Sequence, residues 1–145
     1  MRRWGLRSGK RVGTNRNLLN GRCDMVIRNW KDAMPYVGHE TALIWPIFRQ
    51  KGSEGLSEEE APMLSASGFT LHMMQGGKSG DYHMHKDKEQ IYYFIRGEGK
   101  MKIDDEIYPV KPGDTVYLPP KAYHQLINDS DDWIEHILVT VPVSE

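Results

Sequence analysis

Gly77-Lys-Ser-Gly-Asp-Tyr-His83-Met-His85-Lys-Asp-Lys-Glu89-Gln90-Ile-Tyr92-Tyr-Phe-Ile-Arg-Gly97 is the stretch on which the reading of this chain turns. His83 and His85 stand two apart in a segment of strand-like composition, and side chains at i and i+2 of a strand leave the same face. Two imidazoles are therefore directed into one space. A second stretch, Gly113-Asp-Thr-Val-Tyr-Leu-Pro119-Pro120-Lys121-Ala-Tyr123-His124-Gln-Leu-Ile-Asn128, adds a third imidazole if the chain turns back on itself. The residues between favour that return. Gln90 to Arg96 is β-rich and ends in Gly97-Glu98-Gly99, a hairpin signal, and Lys100 to Val110 supplies the partner. Pro112-Gly113-Asp114 then makes a tight turn before a strand at Thr115 to Leu118.

The spacing of these residues resembles the paired motif of the cupin superfamily, G-x5-H-x-H-x3,4-E-x6-G followed by G-x5-P-x-G-x2-H-x3-N. Two positions depart from it: Gln90 stands where the family has Glu, and Lys121 where it has Gly. An isolated H-x-H would be read as a solvated strand face. Glycine, proline and asparagine at the family's offsets over about fifty residues make a metal-capable site the better reading.

Three histidines, His83, His85 and His124, are the first ligands. Glu89 and Gln90 compete for the fourth position, because adjacent strand residues face opposite ways. Counting back six residues from the hairpin glycine Gly97 selects Gln90, whereas counting forward from His85 selects Glu89. The hairpin sets the register, so Gln90 is taken; the strand pattern does not arbitrate, since both rows of 90–96 are apolar. With Gln90 the ligand set is neutral and a bound cation stays strongly Lewis acidic, while Glu89 would return one negative charge. Imidazole donors suit Fe, Mn, Ni, Cu or Zn without choosing among them. Lysine at position 121 would be uncomfortable at positive φ, which predicts an altered backbone beside His124.

The resemblance implies an all-β double-stranded jelly roll with an N-terminal extension, a homodimer, and a small-molecule ligand or substrate. Strands are expected at about 67–74, 80–85, 90–96, 99–104, 106–110, 115–118, 122–128 and 133–141. Upstream, Met25-Val-Ile-Arg-Asn reads as a first strand with Met25 as a natural start, and 31–35 as a turn stopped by Pro35. Thr41 to Phe48 reads as a strand that Pro46 confines to an edge or bulge. The edge near Pro46 and the N-terminal strand are candidate dimer contacts. Residues 51–62 are polar, with Ser57 and Glu60 placed as a capping box for a very short helix, and form a surface loop or, less favoured, a lid.

Size and composition agree with one domain: 145 residues, 39% hydrophobic and 27% charged. Residues 1–24 read as a basic, disordered tail and 25–145 as a single barrel. The first 22 residues hold seven Arg or Lys and no acid, leaving twelve bases against twenty acids, net minus eight, in 23–145. The tail lacks the apolar core of a secretory signal, and a dispensable extension is preferred to a nucleic-acid arm. No apolar run is long enough to span a membrane as a helix. Cys23 has no internal partner, so a reducing, cytoplasmic setting is expected.

Tyr92 follows Gln90 by two and shares its face; it is core packing or, as in cupin lyases that this arrangement resembles, a catalytic acid or base. Tyr123, beside His124, is open in the same way. His39, His72 and His136 are expected to be ordinary core or surface histidines. Trp30, Trp45, Trp133 and Met73, Met74, Met84, Met101 are pocket wall or core. The function that follows is a metal-dependent enzyme on a small chelating substrate, an oxygenase ahead of a lyase or isomerase. A non-catalytic binding or sensor module is the alternative.

Overall fold

The computed structural model describes residues 26–144. The basic tail, Cys23 and Met25 lie outside them. Ten strands follow in chain order: β1 (Tyr36–Gly38), β2 (Ala42–Arg49), β3 (Gly68–Met74), β4 (Lys78–Ser79), β5 (Lys88–Arg96), β6 (Gly99–Ile103), β7 (Glu106–Val110), β8 (Thr115–Leu118), β9 (His124–Asn128) and β10 (Ile134–Pro142). They form a six-stranded sheet, ordered β1-β2-β3-β10-β5-β8, and a four-stranded sheet, ordered β4-β9-β6-β7. Every strand pair is antiparallel. The buried cluster draws Ile44, Met74, Phe94 and Ile134 from the larger sheet and Met101 and Leu126 from the smaller. The core thus lies between two facing sheets, the expected jelly roll.

Three motif residues owe their identity to this folding. Gly97 has φ 79°, and a Cβ there would stand 2.2 Å from Trp133 O, so β5 turns into β6 against the start of β10 only because the side chain is missing. Gly113 has φ 91° and donates its N–H to Phe94 O, pinning the β7–β8 turn to β5. Buried Asn128 donates to Met74 O (3.1 Å) and Asp132 O (2.8 Å) and accepts from Ser130 Oγ (2.7 Å). One side chain closes the turn between β9 and β10, which satisfies backbone groups that burial would otherwise leave unpaired.

Several expectations need correction. Residues 26–29 are irregular rather than a first strand, and Asn29 caps a 3-10 turn over Trp30–Asp32. No strand forms over 80–85: β4 ends at Ser79, and the segment holds a single bridge, His83 to His124. Lys121 has φ 70°, so lysine keeps the glycine-like backbone instead of changing it. Other expectations hold. The register of β2 on β3 shifts between Pro46 and Phe48, a bulge that absorbs the proline. Ser57 and Glu60 exchange the capping-box hydrogen bonds, but around a turn rather than a helix. Backbone bonds from Arg49 N–H to Glu60 O and Met63 N–H to Arg49 O fasten this loop to the β2 edge.

Along β5, Gln90, Tyr92 and Phe94 are buried, while Ile91, Tyr93 and Ile95 are exposed on the outer face, beside Tyr117 of β8. Among the described residues, no helix is long and apolar enough to cross a membrane.

Candidate metal centre

Three imidazoles meet where the 80–85 segment crosses β9. Gly80 N–H donates to Leu126 O (3.0 Å) and Gln125 Nε2 donates to Gly80 O (2.7 Å), which ties the segment down just before the histidines. His83 and His124 exchange both backbone hydrogen bonds, at 3.1 and 2.8 Å, and Lys121 N–H donates to His85 O at 2.6 Å. One ring nitrogen from each of His83, His85 and His124 lies within 4.8 Å of the other two.

The ring hydrogen bonds decide where the lone pairs point. His124 Nδ1 is 3.0 Å from Ala122 O, and His83 Nδ1 is 2.9 Å from Asp81 Oδ2. Both contacts call for an N–H at Nδ1, which leaves the Nε2 atoms as acceptors. Burial pushes His124 down to about 4 and lowers His85 as well, so both are neutral near pH 7. Burial also works to raise the Asp81 carboxyl, but His83 and His39 outweigh it and hold it below its ordinary value. Asp81 accepts from His39 Nδ1 (3.0 Å) on its other oxygen. A carboxylate behind an imidazole in this way orients the ring and strengthens it as a donor.

Gln90 faces the interior and is 5% exposed. Its Nε2 donates to Thr140 Oγ1 (3.2 Å), which leaves Oε1 buried with no partner among the described residues. Gln90 and His85 line one cavity. Glu89 stands on the opposite side of β5, where it accepts a hydrogen bond from Tyr117 Oη at 3.0 Å. His124 Nε2 and both ring nitrogens of His136 are likewise buried with no partner among the described residues. The three imidazole nitrogens, with His124 Nε2 unpartnered among them, fit a divalent metal of borderline hardness.

Two cavities adjoin the histidines. The smaller, about 20 Å³, is lined by His39, His72, His83, Tyr92, His124 and His136 among others, and is the size of one water or ion. The larger, about 190 Å³, shares His39 and His72 with it and extends to His85 and Gln90. Tyr92 is stacked on His136 (ring centroids 4.9 Å, 22°) and lies 6.3 Å from the His124 ring. Burial, with the Asp81 charge adding to it, pushes the Tyr92 hydroxyl well above its usual range. It is protonated near neutrality.

His72 and His136 are buried in the core, as expected, and half-buried His39 lies beside the site. His72 and His136 pair across β3 and β10, with ring centroids 5.0 Å apart, and His39 stacks on His83 at 5.0 Å. All six histidines of the chain form one contiguous group. Asp81 escaped the sequence reading, although its place two residues before His83 was a usable signal. Tyr123 points outward and packs beside Tyr82. Of the proposed apolar wall, Met74 lines the smaller cavity, Met101 is core, and Trp30 and Trp45 pack edge-on at 5.4 Å.

The chain is 48% identical over 94 residues to an uncharacterized protein of Methanocaldococcus jannaschii, covering 65% of this chain and 68% of that one. It is 36% identical over 58 residues to a glucose-6-phosphate isomerase of Thermococcus onnurineus, 37% of this chain but only 31% of the isomerase. The crystal structure of a predicted oxalate decarboxylase from Thermotoga maritima superposes with a TM-score of 0.67 at 22% identity, over 82% of this chain and all of that one. The cupin domain family matches residues 69–141. That match runs from the second residue of β3 to Val141 in β10, the part of the chain that builds the barrel and carries the paired motif, and on that ground the chain belongs to the cupin family.

Proposed function

We propose that this cupin is a metal-dependent enzyme in which His83, His85, His124 and Gln90 hold one divalent transition metal, Fe, Mn, Ni, Cu or Zn, beside a small organic substrate. The observation that carries the reading is the meeting of ring nitrogens from His83, His85 and His124 within 4.8 Å, supported by Gln90 Oε1 and His124 Nε2, both buried and unpartnered among the described residues. Each costs about 1–3 kcal/mol if left unsatisfied, and a cation bound between them and the other two imidazoles removes that cost. A metal held by these neutral donors would supply Lewis acidity, tempered by the Asp81 carboxylate behind His83. The chain's own residues do the rest. Asp81 fixes the His83 tautomer, Thr140 fixes the Gln90 amide, and the protonated Tyr92 hydroxyl presents a proton at the cavity wall.

An oxygenase-like reaction is the first reading. The second is a lyase or isomerase, favoured by the protonated tyrosine and by the glucose-6-phosphate isomerases that match over part of the barrel. Ile91, Tyr93, Ile95 and Tyr117, exposed together on one sheet face, support pairing of two copies there.

Elemental analysis of untagged protein purified without chelators tests the centre, against a His83→Ala/His124→Ala double variant. Near-stoichiometric metal that vanishes in the variant is expected. A wild type that takes up none of the five metals refutes the centre. Oxygen uptake and solvent-proton exchange, measured on chelating hydroxy- and keto-acids, then separate the two reaction classes. Binding without either turnover would identify a sensor module.

A further inference from the structure

The larger cavity has a charge character that the rest of the chain lacks. Residues 23–145 carry a net charge of minus eight. Yet the cavity's lining holds Arg49, Lys88 and three histidines and, among the described residues, no carboxylate. Neither cation is committed elsewhere, for among those residues neither Arg49 nor Lys88 makes a salt bridge. Arg49 is positioned by a bond from Nη2 to Tyr36 Oη (3.0 Å), and its charge reaches His72, as that of Lys88 reaches His85.

Strand register explains how the two come together. Arg49 pairs with Gly68, Gly68 with Thr140, Thr140 with Gln90, and Lys88 lies two residues before Gln90. Arg49, Gly68, Thr140 and Gln90 form one row across the larger sheet, and Lys88, paired with Pro142, lies two residues along β5 from it. A Cβ at Gly68 would lie 3.1 Å from Arg49 Nη1, so the glycine gives the guanidinium room to lie across the sheet. Two uncommitted cations in a concave, half-buried setting attract an anion more strongly than the same charges on an open surface.

We propose that this cavity binds a small anionic ligand, whose carboxylate or phosphate group is held by Arg49 and Lys88 while its other end faces His85 and Gln90. This rests on the metal reading only for what the far end of the ligand meets. A volume of about 190 Å³ lies below the roughly 300–1,000 Å³ of sites for drug-sized molecules, so the ligand has few carbons.

Inorganic phosphate and malonate are titrated calorimetrically into the full chain and into Arg49→Gln, Lys88→Gln, the double variant and the charge-retaining Arg49→Lys, with metal content measured on the same samples. At least one anion binds the wild type saturably, and each charge removal weakens it by at least about tenfold, with partial recovery in Arg49→Lys. Phosphate alone identifies a phosphate ester as the ligand class, and malonate alone a carboxylate. Metal content stays unchanged. Equal affinity in the wild type and the folded Lys88→Gln variant, or no saturable binding of either anion at millimolar concentration, overturns the proposal. Protein that takes up no metal but still binds anions through these residues refutes the metal centre and leaves the anion site standing.

Discussion

His136 gives the sharpest test of how this interior is balanced. It is 2% exposed, stacked on Tyr92, 5.5 Å from the Phe94 ring, and neither of its ring nitrogens has a partner among the described residues. Burial, with the nearby His39 adding to it, holds its pKa at about 3, against 6.5 for the free side chain. The native state therefore refuses a proton that the unfolded chain accepts, so stability is complete above pH 6.5 and falls as pH drops towards 3. One pH unit below 6.5 this single group costs about 1.4 kcal/mol, and two units below about 2.7 kcal/mol. His136→Phe removes the titration and two unsatisfied nitrogens, worth about 1–3 kcal/mol, while the added ring atom meets the adjoining small cavity at a cost of similar size. The variant is then close to wild type at pH 7.5 and gains about 1.4 kcal/mol relative to it at pH 5.5. Urea unfolding of chelator-treated protein at both pH values and one protein concentration measures this. Parallel stability curves for the two proteins would show that His136 is protonated in the native state, and the argument would fail.

Asp81→Asn deprives His83 and His39 of their shared carboxylate and is expected to lower metal affinity about 10–100-fold in chelator competition, with the fold intact; unchanged affinity would detach Asp81 from the centre. Gln90→Glu adds the charge that the ligand set lacks, so divalent metal should dissociate at least about tenfold more slowly; a faster rate would place position 90 outside the ligand set. Lys121→Gly relieves a left-handed residue that costs about 1–2 kcal/mol, partly offset by the added freedom of the unfolded glycine, and a net gain of up to about 1 kcal/mol in thermal unfolding is expected.

The barrel was legible because its punctuation has local causes. Gly97, Gly113 and Asn128 each meet a steric or hydrogen-bonding demand that few other residues satisfy, and β8 falls at its expected limits. The 80–85 segment read as a strand because His83 and His85 alternate, yet its neighbours bond to β9 through Gly80 and His83 alone rather than along a full ladder. Two apolar rows on β5 hid which one faced inward, and so the choice between Glu89 and Gln90 rested on glycine spacing. In the structure Gln90 lines the cavity, while Glu89 accepts a hydrogen bond from Tyr117 on the outer face. What the chain alone could not reveal depends on long-range register. His72 and His136 are 64 positions apart, and Arg49 and Lys88 meet only across three intervening strand pairings.

The gathering of all six histidines into one group has a practical side. An imidazole-directed probe reports on this cavity and on no other part of the chain. Diethyl pyrocarbonate labelling, or histidine ring resonances in an NMR spectrum, can follow occupancy of the barrel without any engineered label. The chain carries its own reporter, and a polyhistidine purification tag would drown its signal.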